Sequence, residues 1–109
     1  MTLTLYGIPT CDTCRKARKA LEGAGHEVAF RDVRAEPLSP AERAEFAAAL
    51  GPKIVNRASP SFRKLDDTVK ESAPEDILAA QPTAMKRPVI RREGELYLGW
   101  SKDVQAALL

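Results

Sequence analysis

An α/β fold built on a small mixed sheet of four strands is what this chain of 109 residues predicts. Three observations carry that reading. Two short apolar runs, 2–6 and 26–33, flank a helical pattern and give a β-α-β order. Two further runs, 89–92 and 95–98, meet across Glu93–Gly94 as a hairpin, and a last helical stretch follows them. The residues between, about 37–82, are helical with no strand of their own, so they read as an insertion in a β-α-β, β-β-α plan.

Each element has its own reason. Thr2 to Tyr6 alternates side chains at a period of two and stops at Gly7, which is a strand. Pro9 and Thr10 form a loop. From Cys11 onward Ala17, Ala20, Leu21 and Ala24 recur at helical spacing, and Gly25 stops the run. Arg15, Lys16, Arg18 and Lys19 then cover the solvated side. His26 to Val33 is the second strand, with Val28 and Phe30 on one face. A helix between two strands some 30 residues apart makes those strands parallel neighbours.

In "EPLSPAERAEFAAALG", Ser39 is an N-cap, Pro40 sits at the first helical position and Glu42 completes a capping box. Gly51 and Pro52 end that helix. Residues 54–64 read as irregular. Pro74, Glu75 and Asp76 suit the first turn of another helix, which Pro82 closes. The tail from Ser101 is a final helix with Val104 and Leu108 facing inward. No internal repeat and no low-complexity linker breaks the chain, so residues 1–109 read as one domain.

With 44% hydrophobic residues the chain can bury a core without a metal or disulfide. Seventeen Lys and Arg against fifteen Asp and Glu leave a net charge of +2, too even to argue for direct nucleic-acid binding. No run approaches the roughly 20 apolar residues of a membrane span, and "MTLTLYG" lacks the features of a signal peptide. The expectation is a cytoplasmic monomer.

Cys11 and Cys14 are the only cysteines. A structural zinc site needs four ligands, and one Cys pair with a single His26 falls short, so no metal is expected. A C-x-x-C disulfide closes too small a loop to constrain the unfolded chain much, and a reducing compartment opposes it. Two idle thiols and redox chemistry remain. C-x-x-C after a strand, opening a helix within a β-α-β unit, is a thioredoxin-like signature. Cys11 would stand at the helix N-terminus, where unpaired N–H groups favour an anion, and Arg15 one turn on would act in the same sense. Cys14, in the first turn, is placed to attack a mixed disulfide at Cys11. Pro88, in "KRPV", opens a strand where no ladder bond is lost; thioredoxin-like folds carry a cis-proline there, so Arg87–Pro88 is expected to be cis.

Four blocks, "LYGIPTCDTCRKARKAL", "NRASPSFRKLD", "KRPVI" and "LGWS", together resemble the arsenate reductase-like family, in that family's order and across nearly the whole chain. The resemblance implies a thioredoxin-like fold with a helical insertion. It implies Cys11 as the nucleophile, with Arg57 and Arg87 binding an oxyanion or a carboxylate-bearing thiol. No bound cofactor is implied; glutathione is the expected co-substrate, with glutaredoxin a further partner. The loop departs from the H-N-P-x-C-G-T-S-R of the arsenate reductases: Gly7 stands where they carry His. Gly99 and Trp100 occupy the region of a third arginine. "YGI", "CDT", "FRKLD" and "LGWS" look most like the YffB-type branch, for which glutathione-dependent thiol reduction is implied. The C-x-x-C itself resembles the Spx regulators, which bind the RNA polymerase α subunit under thiol stress. The expected function is therefore a thiol-disulfide oxidoreductase, with a redox-sensing regulator and an arsenate reductase as alternatives.

Overall fold

The computed structural model describes residues 2–109. In chain order the elements are β1 (Thr2–Gly7), α1 (Asp12–Gly23), β2 (Glu27–Asp32), α2 (Pro40–Leu50), α3 (Pro60–Arg63), α4 (Asp67–Lys70), α5 (Pro74–Ala80), β3 (Val89–Arg92), β4 (Glu95–Leu98) and α6 (Lys102–Leu108), with short 3-10 turns at Gly51–Ile54 and Pro82–Ala84. They form two compact units. One holds the described residues up to Asp32 together with Arg87–Leu109; the other is Val33–Lys86.

The first unit contains the sheet, in the order β2-β1-β3-β4. β1 and β2 are parallel, with Leu5 opposite Phe30. β3 runs antiparallel to β1, placing Ile90 opposite Leu5, and β4 returns antiparallel to β3. This is the mixed four-stranded sheet of a thioredoxin-like fold. Alternation along β1 turns Leu3 and Leu5 to one face, where with Ile90 they meet Cys14, Ala17 and Leu21 of α1 and Leu108 of α6. Each fully buried Leu contributes about 1.5–3 kcal/mol. Val28, Phe30, Trp100 and Val104 close the edge of this cluster.

Two side chains fasten α6. The His26 Nε2 lies 2.9 Å from the Leu108 carbonyl, which can only accept, so that nitrogen carries the proton. Arg92 Nη1 donates to the Ala107 carbonyl at 2.8 Å. Carbonyls of a last helical turn have no partner within the helix, and these donors replace the missing ones. His26 thus departs from the plain surface histidine that its isolation in the sequence suggests. In the hairpin it is Glu93, with φ 56°, that takes the left-handed conformation.

The helical insert is built from capped turns. Ser39 Oγ accepts the Glu42 N–H at 3.1 Å while the Glu42 carboxylate accepts the Ser39 N–H at 2.8 Å, the reciprocal box at the start of α2. Residues 54–64 are not uniformly irregular. Ser59 caps α3 by accepting the Phe62 N–H at 3.1 Å, and its hydroxyl donates to the Asn56 carbonyl at 2.7 Å. Asp66 caps α4 by accepting the Val69 N–H at 2.9 Å. A four-residue helix makes one turn and shows no apolar periodicity, so only the cap residues announce it. Phe46, Ile54, Ile77, Leu78 and Met85 are the buried centre of this unit. Among the described residues no helix is long and apolar enough to cross a membrane.

Candidate functional site

Cys11 is the N-cap of α1, with φ −81° and ψ 118°, and its carbonyl accepts the first helical N–H, from Arg15, at 3.0 Å. Its own N–H is tied back to the Ile8 carbonyl at 3.1 Å, which closes the loop before the helix. No side chain closes a full capping hydrogen bond at this helix start. The thiol stands where a Ser or Asp would usually accept, beside N–H groups that favour negative charge.

The two sulfurs are treated oppositely. Burial is the largest influence on Cys11 and opposes its ionisation; the Cys14 backbone N–H and thiol, then the Arg87 guanidinium, outweigh it and hold Cys11 below the ordinary thiol range. Cys14 has no exposed surface. Burial pushes its thiol up to about 12, the Ile8 N–H partly offsets this, and the neighbouring Cys11 raises it further. One thiol is therefore half-buried and lowered; the other is buried and raised.

Arg87 and Pro88 stand immediately before β3, and the Arg87–Pro88 peptide is cis. Pro88 is fully buried, and its carbonyl accepts the Gly99 N–H at 2.8 Å. Cys11, Cys14, Arg87 and Pro88 thus all belong to the sheet unit. A family model described as the ArsC family matches residues 6–108.

The chain belongs to the ArsC family. A solved YffB protein is 34% identical, with a TM-score of 0.89 over 98% of each chain. An arsenate reductase (ArsC) related protein from Brucella melitensis is 35% identical, with a TM-score of 0.74 over 98% of this chain and 93% of that one. The global transcriptional regulator Spx of Bacillus subtilis is 33% identical over 93% of this chain and 82% of its own length.

Within this ArsC-family frame two of the arginines singled out in the sequence have partners of their own. Arg15 pairs with Asp12, both side chains well exposed at 64% and 79%, where solvent screens the charge. The guanidinium that lowers the Cys11 thiol is that of Arg87, which reaches the sulfur itself. Arg57 lies in the insert, its guanidinium 5.1 Å from the Phe62 ring and its Nη1 donating to the Lys70 carbonyl at a long 3.5 Å. Among the described residues no cluster of three or more His, Cys, Asp or Glu is grouped to hold a metal.

One neighbour of the thiols gives no signal in the sequence. A Cβ added at Gly7 would lie 2.5 Å from the Cys14 sulfur. In the sequence Gly7 reads as the end of a strand and as the place where the arsenate reductases carry His; no pattern along the chain reports that the side chain seven positions on, at Cys14, has folded against it.

Proposed function

We propose that the chain is a thiol-disulfide oxidoreductase in which Cys11 attacks as a thiolate and Cys14 resolves. The observation that carries this is the contrast between the two sulfurs: Cys11 is held below the ordinary thiol range while Cys14 is pushed up to about 12. The thiolate, not the thiol, is the nucleophile. The Cys11 thiolate attacks a substrate disulfide, forms a Cys11 mixed disulfide and releases one substrate thiolate. Cys14 then gives up its proton and attacks the Cys11 sulfur, forming the Cys11–Cys14 disulfide and releasing the second substrate thiol. Once Cys11 is in the mixed disulfide, burial still raises Cys14 but the added effect of the Cys11 charge is gone, so Cys14 ionises more readily at the step that needs it.

Two molecules of glutathione would return the pair to the dithiol, leaving as glutathione disulfide, in a cytoplasmic setting. Arg87 is assigned to a negative group of the substrate, since guanidinium matches carboxylates and oxyanions in geometry. No bound cofactor enters this cycle.

The test is the Cys11 thiol pKa, followed by pH-dependent alkylation with and without millimolar glutathione or arsenate. A value well below the roughly 8.5 of a free thiol, moved by glutathione, and loss of disulfide reduction in Cys11→Ser, are the expected results. A response to arsenate alone would redirect the reading to arsenate reduction. An ordinary pKa with no ligand response would overturn it.

A second reading, a redox-sensing regulator that docks on the RNA polymerase α subunit, draws on the likeness to the Spx regulators. It also draws on the exposed Arg15, Lys16, Arg18 and Lys19 beside the thiol pair. Oxidation-dependent capture of that subunit by a protein without thiol reductase activity would favour it.

A further inference from the structure

We infer that Gly7 is a positioning residue for the resolving thiol: the space left by its missing side chain holds the Cys14 sulfur in the direction from which it attacks Cys11. This rests on the two-cysteine reading above and adds a residue outside the thiols and arginines.

The backbone at Gly7 does not call for glycine. Its φ lies outside the left-handed region, which Gly25, Gly51 and Gly99 occupy. As the last residue of β1 it pairs with Asp32 in ordinary parallel register. What excludes a side chain there is space. An added Cβ would stand 2.5 Å from the Cys14 sulfur and 3.3 Å from both the Cys14 Cβ and Leu5 Cδ2. The two 3.3 Å contacts need shifts of only a few tenths of an ångström.

The sulfur contact has one inexpensive relief, because Sγ is the end of a side chain with a single rotatable bond: Cys14 turns about χ1. That turn takes the sulfur off the Ile8 N–H and away from the Cys11 thiol, the two contacts it now has. The fold can therefore absorb a methyl group at position 7, whereas the geometry of the thiol pair cannot. Misplacement of a reacting atom by about 1 Å can cost on the order of a hundredfold in rate.

The experiment follows the reduced protein reacting with bis(2-hydroxyethyl) disulfide, an uncharged probe, by acid quench and intact-mass analysis. The rate of mixed-disulfide formation at Cys11 is expected to change far less between wild type and Gly7→Ala than the resolving step, because the Cys14 backbone N–H and Arg87 still hold Cys11 below the ordinary thiol range. Conversion to the internal disulfide is expected to slow on the order of tenfold to a hundredfold in Gly7→Ala, so that the mixed disulfide accumulates. Thermal midpoints give a second reading should Gly7→Ala be poorly folded. The midpoint lost on Gly7→Ala is expected to be largely regained when the same change is made in a Cys14→Ala background, where the sulfur is absent. Wild type and Gly7→Ala resolving equally fast, or an equal midpoint loss with and without the sulfur, would overturn the inference alone. A wild type that itself stalls at the mixed disulfide would overturn the resolving role of Cys14 and this inference with it.

Discussion

Along one face of α1, Cys14, Ala17 and Leu21 are fully buried, while the N-cap residue before it, Cys11, closes no side-chain cap. In the insert, α4 buries none of its residues and starts at Asp66, whose carboxylate takes the Val69 N–H. One helix is held by its face and the other by its end. The difference bears on function. A capped helix start has its first N–H groups already engaged, whereas α1, secured through its side, leaves its start to a thiol. Packing at Leu21 thus stabilises a helix whose N-terminus can favour a thiolate.

The largest test of this contrast is Leu21→Ala. Removing a fully buried Leu from the cluster of Leu3, Leu5, Ile90 and Leu108 should cost about 2–5 kcal/mol. Urea unfolding measures it. In α4, Val69→Ala should stay within about 0.5 kcal/mol, because its side chain is only half-buried. Equal losses at the two sites would break the contrast.

The same contrast explains what was legible in the sequence. The sheet unit writes its structure as periodicity: Leu3 and Leu5 alternate, Ala17 and Leu21 recur one turn apart, and the hairpin falls across Glu93–Gly94 where the chain offers a turn. The insert is legible only where its caps are. Ser39, Pro40 and Glu42 announce α2, and Pro74 announces α5, whereas α3 and α4 are single turns whose sole signals are Ser59 before Pro60 and the Asp66–Asp67 pair. For the site, the cysteine spacing and the strand-loop-helix order identify the candidate thiols. What the chain does not announce is which charge reaches the sulfur. Arg15 is adjacent in sequence but lies in solvent with Asp12, and Arg87, from the other end of the chain, takes its place through the pairing of β3 with β1.

The buried face of α1 also gives the thiol pair a pH signature. Cys11 is lowered in the folded state, so its contribution is complete above the ordinary thiol pKa and is lost as pH falls through the folded value. Cys14 is raised from 9.0 to about 12, so its contribution is complete below pH 9 and is lost as pH climbs from 9 towards 12. At pH 10 that loss is on the order of 1 kcal/mol. Urea midpoints of the reduced protein at pH 8, 9 and 10 should fall more steeply in wild type than in Cys14→Ala. Parallel slopes would mean that the Cys14 sulfur ionises as freely in the folded chain as in the unfolded one.

The smallest effects belong to the caps. Replacing a Ser or Asp N-cap by Ala costs about 0.5–2 kcal/mol. Within that range Ser59 should exceed Asp66. Ser59 is buried, and its hydroxyl both accepts from Phe62 and donates to Asn56, so Ser59→Ala leaves the Asn56 carbonyl without that donor inside the unit. Asp66 is exposed, and water can take over the Val69 N–H in Asp66→Ala. At Cys11 there is no closed cap to lose, so Cys11→Ala should leave stability near neutral pH within about 0.5 kcal/mol while removing the nucleophile. Urea unfolding of the three variants side by side ranks them. A loss at Cys11 as large as that at Ser59 would mean that the sulfur caps α1 after all, and the division between a helix held by its face and helices held by their ends would fail.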